Sequence, residues 1–345
     1  MRFRTTAGDL REACATAELA VKTTGAIELS TSANRIVAVG GDGEIGIRRT
    51  CLGDVETNGA VVCGARPLIA YAGAIDPETV LDVSYEGSML NVSGGGRVYR
   101  FAVIGQQYLQ IEEPGEGAHI VSAGGISDLY AAVRHAIDPN SMLVKCVTGE
   151  GLLTMYATDM YRGVAASRET DHENSWSVLF PSNGLTLALR QHPHTVRIDP
   201  RGRIASFYAE HTTISVRLGA SEFPAIETVL TNKGSVVWKL PVNETLRALK
   251  RLGSVAAGES LRCEINEEEL CVQASSTAGT GVEYVAIDGE GSGVFNVNPQ
   301  LLIDALEAVG GETAEAHYQD PRKALHISGT RNGTSVVCVV MPVVR

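Results

Sequence analysis

A faint repeat of whole-domain length constrains this chain more than any single motif. Apolar residues at helical spacing recur at Leu10, Cys14, Ala17 and Val21, at Ile126, Leu129, Val133 and Ile137, and at Leu246, Leu249 and Leu252. Each run is followed by a second helical candidate opened by a proline suited to a first turn: Pro67 before Leu68, Pro181 before Leu185 and Leu189, and Pro299 before Leu301 to Val309. The prolines stand roughly 115 residues apart, too far for a solenoid unit and right for a domain. The predicted helices are 9–22, 66–75, 125–137, 183–190, 244–252 and 299–309.

Between them lie β-branched, alternating runs at Arg35 to Val39, Ala60 to Cys63, Val98 to Val103, Leu152 to Tyr156, Thr195 to Ile198, Ala205 to Tyr208, Thr213 to Leu218, Leu261 to Ile265, Tyr284 to Ile287 and Val336 to Val340. Gly94-Gly95-Gly96 and Asn332-Gly333 read as hairpin turns. Glu113 to Gly117, polar and flexible, and Thr231 to Gly234 read as linkers. The expected fold is α+β, with three similar domains at 1–115, 118–232 and 233–345, each a pair of helices packed on antiparallel sheets.

The 345 residues are 44% hydrophobic, enough for real cores, so disorder is excluded as the main state. No apolar run reaches the ~18–20 residues of a membrane span, and Met-Arg-Phe-Arg lacks the apolar core of a signal peptide, so the chain reads as cytosolic, without a membrane role. Seven scattered cysteines without a Cys-x-x-Cys pair suggest reduced thiols rather than a disulfide framework or zinc site. Net charge is −11 and aromatic content 5%, which argues against a protein that grips nucleic acid by charge or by stacking.

Three motifs invite chemistry and fail on context. Gly41-Asp42-Gly43-Glu44-Ile45-Gly46 matches a dinucleotide fingerprint, but a short β-branched run follows it instead of a helix. His192-Pro193-His194 lacks acidic or cysteine partners at ligand spacing, and Glu267-Glu268-Glu269 reads as a solvated turn between strands. No nucleophile elbow is present. Neither a catalytic centre, a metal site nor a cofactor is expected.

Four segments carry a resemblance. They are Ala157-Thr158-Asp159-Met160-Tyr161-Arg162; Ser221-Glu222-Phe223-Pro224 before Ile226 to Leu230; Val297-Asn298-Pro299-Gln300-Leu301; and the ending Val339-Val340-Met341-Pro342-Val343-Val344-Arg345. In this order the chain resembles, over essentially its whole length, the β sliding clamps of bacterial DNA polymerase III. That family carries Thr-Asp-Gly-His-Arg, Phe-Pro-Asp-Tyr, Phe-Asn-Pro-x-Tyr-Leu and a terminal Val-Met-Pro-x-Arg. The resemblance implies a non-catalytic processivity factor: a head-to-tail homodimeric ring around double-stranded DNA, without sequence readout, that tethers polymerase, clamp loader and repair proteins through short linear peptides.

It also implies a hydrophobic peptide cleft lined by Thr158, Met160, Tyr161, Arg162, Pro224, Thr228, Val229, Asn298, Leu301, Val339, Val340, Met341, Pro342 and Val343. Candidate DNA-channel cations on the helices are Arg11, Lys22, Arg66, Arg134, Arg190, Arg247, Lys250 and Arg251. The six predicted helices are slightly basic within an acidic chain, so the expected bore is only locally less acidic. Three departures stand out: the family's Gly-His is Met160-Tyr161, its next leucine is Gly163, and its aromatic on the last helix is Leu301. Bulk added on one side of the pocket and removed on another predicts a cleft of altered shape and altered peptide or inhibitor preference. The competing readings are a diverged clamp paralogue acting as a partner-binding scaffold or an inhibitor-resistant clamp, and a nucleotide-binding enzyme resting on the glycine segment alone.

Overall fold

The computed structural model describes residues 1–21, 25–105, 111–172, 174–277 and 279–344. Seven helices lie among them: α1 (Ala7–Glu18), α2 (Ala65–Gly73), α3 (Ala123–Val133), α4 (Ser182–Leu189), α5 (Glu227–Thr231), α6 (Val242–Ala256) and α7 (Pro299–Val309). Every strand pairing is antiparallel, in sheets of thirteen, nine and four strands. The α+β class expected from the sequence is the one observed.

The chain forms two compact units. The first joins Met1–Gly124 to Asn183–Leu218, and the second joins Gly125–Ser182 to Gly219–Arg345. In the first, α1 turns Leu10, Ala13, Cys14 and Ala17 inward against Phe3, Ile27, Leu29, Ile36 and Leu68. This is the i, i+3, i+4 stripe that an amphipathic helix must bury. Helix and sheet meet so closely that a Cβ at Gly40 would lie 2.0 Å from the Ala17 carbonyl oxygen, so only glycine fits there. α1 starts where the Thr6 hydroxyl accepts from the Asp9 amide at 3.1 Å. It ends at Glu18 instead of running to 22, and Lys22 lies outside the described residues.

In the second unit α6 buries Val242, Thr245, Ala248, Leu249 and Leu252. Helix α7 is capped by Asn298, which accepts from the Gln300 amide at 2.9 Å, with Pro299 in the first turn. The Gly95-Gly96 and Asn332-Gly333 hairpins both have positive φ at their central residues, the backbone that two-residue turns require.

Glu113 to Gly117, expected to be a flexible linker, lies outside helix and strand but is tethered. Glu113 Oε2 accepts from the Tyr208 hydroxyl at 2.9 Å, Glu113 also meets Arg48, and the Gly115 carbonyl accepts from Arg197 at 3.2 Å. Those partners pin the segment to the first unit's sheet, so it is not free polar chain. Among the described residues no helix is long and apolar enough to cross a membrane, and no cluster of three or more His, Cys, Asp or Glu is placed to hold a metal ion.

Candidate peptide cleft and cationic helix faces

The cleft candidates all fall in the second unit, and they gather around one hairpin. Strand Leu152–Thr158 turns through Asp159, Met160 and Tyr161 into strand Arg162–Glu169. The turn is held by its own side chains: Asp159 Oδ1 accepts from the amides of Tyr161 and Arg162 at 3.0 Å each, and Thr158 Oγ1 accepts from the Met160 amide and donates to the Arg162 carbonyl at 2.8 Å. Met160 sits at φ +73°, a backbone region that suits glycine and costs other residues about 1 kcal/mol. Its side chain is 74% exposed and that of Tyr161 69%, so the turn presents two large apolar groups to solvent.

Arg162 braces the turn from behind. Its Nε donates to Asp159 at 2.9 Å and its Nη1 meets Asp304 of α7, with all three side chains mostly buried. Asp304 in turn accepts from Gln300 at 2.6 Å, tying the brace to the start of α7, where Asn298 caps and Leu301 is half-buried. His135, just beyond α3, feels this cluster: burial first, then the Arg162 guanidinium, lowers its pKa to about 4, so the ring is neutral at pH 7.

The opposite wall is α5. Ile226 and Leu230 pack on Val339, flanked by Tyr156, Ala165, Phe223 and Val337, while Thr228, Val229 and Pro224 face solvent. Lys145 pairs with Glu227 at 2.5 Å; burial works against the Glu227 charge, but the bond to Lys145 prevails and holds its pKa below the usual carboxylate value. Val339 and Val340 are buried at 3% and 1%, so they form a floor and not exposed anchors. The chain then emerges: Met341 donates its amide to the Tyr161 carbonyl at 2.9 Å and Val343 to Asn296 at 2.8 Å, leaving both side chains partly exposed around the half-buried Pro342.

The expected gap at Gly163 does not open. A Cβ there would lie 3.1 Å from Val339 and 3.6 Å from Ile226, the residue that leads into α5, so those two side chains already occupy the space beside Gly163. The sequence reading missed His135, Lys145, Asp304 and His326. Their partners are distant in the chain, and only the isolated positions of charged residues in apolar runs hinted at them.

The cationic candidates divide. Arg11, Arg134, Arg190 and Arg247 are exposed and make no ion pair with a described residue, whereas Arg66 pairs with Glu18 at 2.9 Å, Lys250 with Glu307 at 2.6 Å and Arg251 with Glu283. Arg134 and Arg190 lie just past the ends of α3 and α4, so on the helices as folded acidic residues outnumber basic ones. The three exposed cations of α6 at 247, 250 and 251 share one face.

The decoy motifs are resolved as turns. Asp42 Oδ1 accepts from the amides of Glu44 and Ile45 between paired strands, with Gly43 at φ +88°, so no helix N-terminus stands there for a pyrophosphate. His192-Pro193-His194 is the loop leaving α4, and Asn266 Oδ1 accepts from the amides of Glu268 and Glu269 in a hairpin turn. All seven cysteines are free, five of them buried.

From end to end, this architecture is the sliding-clamp fold of DNA polymerase III beta subunits. A sliding clamp from Pseudomonas aeruginosa, solved with a ligand, superposes with a TM-score of 0.91 at 17% identity, covering all of both chains. A DNA polymerase III beta subunit from Thermotoga maritima gives 0.85 at 19% identity, covering 100% of this chain and 99% of that one. A further Pseudomonas aeruginosa clamp, bound to griselimycin, gives 0.88 at 17% identity with full coverage of both chains. No protein-family model matches the chain, and no curated protein sequence matches it.

Proposed function

We propose that the chain is a DNA polymerase processivity factor: a cytoplasmic, non-catalytic sliding clamp, assembled head to tail as a homodimeric ring that encircles duplex DNA. It would tether polymerase, clamp loader and repair proteins by their short peptides in the cleft built from the Thr158–Arg162 hairpin, α5, the start of α7 and the chain ending. The observation that carries this reading is the end-to-end coincidence of the fold with clamps at TM-scores of 0.85–0.91. The domains would be 1–115, 118–232 and 233–345. The strand Gly279–Ala286, at the edge of the four-stranded sheet and carrying the exposed Val282 and Tyr284, supports assembly through sheet extension.

Retention on circular DNA that depends on a clamp loader, with release on linearisation, tests the function. Retention equal on both forms would overturn it. Light scattering that gives a stable 36.5 kDa monomer at micromolar concentration would remove the ring. A second reading, a paralogue that binds clamp partners but loads poorly or resists clamp inhibitors, is favoured by Met160 in a left-handed turn and by three channel candidates already neutralised by carboxylates. It predicts peptide binding without loading.

A further inference from the structure

Helix α5 is too short to hold itself. Five residues leave its carbonyls without the usual backbone partners; the Thr231 hydroxyl donates to those of Glu227 and Thr228 at 3.1 and 3.2 Å but not to that of Val229, and no side chain caps the helix start. Two groups fix it from outside: the apolar pair Ile226 and Leu230 beneath, and Lys145 on Glu227 at one end. A third contact comes from strand Leu325–Arg331, where the ring of His326, 3% exposed, places Nε2 2.7 Å from the Val229 carbonyl oxygen. A carbonyl can only accept, so Nε2 carries the proton. Burial lowers the His326 pKa against the opposing pull of backbone bonds to Val229 and Ala324, and the 2.7 Å approach of Nε2 to the Val229 carbonyl fixes where that N–H is directed.

We infer that His326 is a positioning residue of the cleft: its Nε2–H caps the orphan Val229 carbonyl and so sets the place of the α5 wall that carries Thr228 and Val229. The inference rests on the cleft reading for its consequence in binding, but the contact itself is independent of it. Val229 is the exposed residue of the wall, and its own carbonyl is the anchored atom. A shift in the cap therefore moves the side chain that a peptide would meet. His317, directly opposite on the neighbouring strand, has no such contact with α5, so the role belongs to His326.

The test uses the full chain with two substitutions. His326→Gln keeps an N–H donor at the reach of Nε2, and His326→Phe keeps the ring volume without a donor. Amide hydrogen exchange is followed in 227–231, and affinity is measured for a synthetic peptide carrying the consensus clamp-binding motif. In His326→Phe, α5 amides exchange about tenfold faster and the peptide binds roughly three- to tenfold more weakly, whereas His326→Gln stays within twofold of the parent in both. If the two variants change together, or if neither changes α5 exchange, His326 is only a packed core residue and the inference is overturned. If the parent binds no peptide while α5 exchange still separates Phe from Gln, the capping contact stands and the cleft reading falls.

Discussion

The cluster around Arg162 makes a quantitative prediction about acid stability. His135 binds a proton near pH 6.5 when unfolded and only near 4 in the fold, because burial and then the Arg162 charge oppose protonation. A group with a depressed folded pKa binds protons in the unfolded state first, so its contribution is fully present above pH 6.5 and is lost as pH falls toward 4. The full separation is worth roughly 3 kcal/mol. His135→Asn removes the titration while keeping an amide able to replace the ring's backbone bond to Ala132. Urea unfolding of the second unit, followed through the buried Trp238, should show the parent losing about 3 kcal/mol more than the variant between pH 7 and 4. Arg162→Met should flatten the parent's slope as well, since the repelling charge is gone. Parallel pH profiles for parent and His135→Asn would refute the reasoning.

Three further outcomes follow from local geometry. Met160→Gly relieves a φ of +73° on an exposed side chain and should raise the urea midpoint by the equivalent of about 0.5–1 kcal/mol; a lowered midpoint would mean that Met160 packs in a way its exposure denies. Gly163→Leu adds bulk that meets Val339 at 3.1 Å and the Ile226 side chain, so it should cost about 1–3 kcal/mol and loosen α5; a neutral effect in melting and exchange would contradict the close packing at Gly163. A thiol reagent at pH 8 should leave Cys14, Cys63, Cys146, Cys263 and Cys338 unreacted until denaturant is added, because burial both shields them and raises their pKa values. Mass spectrometry of the labelled native chain checks this.

What was legible in the sequence was what depends on neighbours in sequence. The apolar stripe of α1, the Asn298-Pro299 start of α7 and the Asn332-Gly333 turn are local, and each stands where periodicity and turn chemistry place it. The early start of α1 was also written locally, in Thr6 and Asp9, but the apolar run alone did not reveal it. Contacts between distant residues were not legible. Glu113 is pinned by residues 65 and 95 positions away, Arg162 is braced by a carboxylate 142 positions away, and the α5 carbonyl is capped by a histidine 97 positions away. The surroundings of Gly163 were not legible for the same reason: the side chains beside it, Val339 and Ile226, belong to distant parts of the chain.

The acidic charge of −11 then becomes a statement about how weakly such a clamp should hold DNA. On the proposed reading the closed ring supplies retention, and the phosphate contacts have only to be weak enough to slide. Of the channel candidates, Arg11, Arg134, Arg190 and Arg247 make no ion pair with a described residue, while Arg66, Lys250 and Arg251 must give up a carboxylate before they can meet a phosphate. If all four from both chains of a dimer displaced counterions together, log K would fall with log salt at a slope of about −7, and a sliding ring engages only part of that set at once. Equilibrium binding to a linear duplex should therefore show a slope shallower than about −7 and be lost near physiological salt. Replacing Arg247 with Gln should reduce the slope by at most about one, and Glu307→Gln, which frees Lys250, should steepen it. Tight binding to linear DNA that survives physiological salt would mean that affinity and not encirclement holds the complex, and the reading of these helices as the wall of a weakly binding bore would fail.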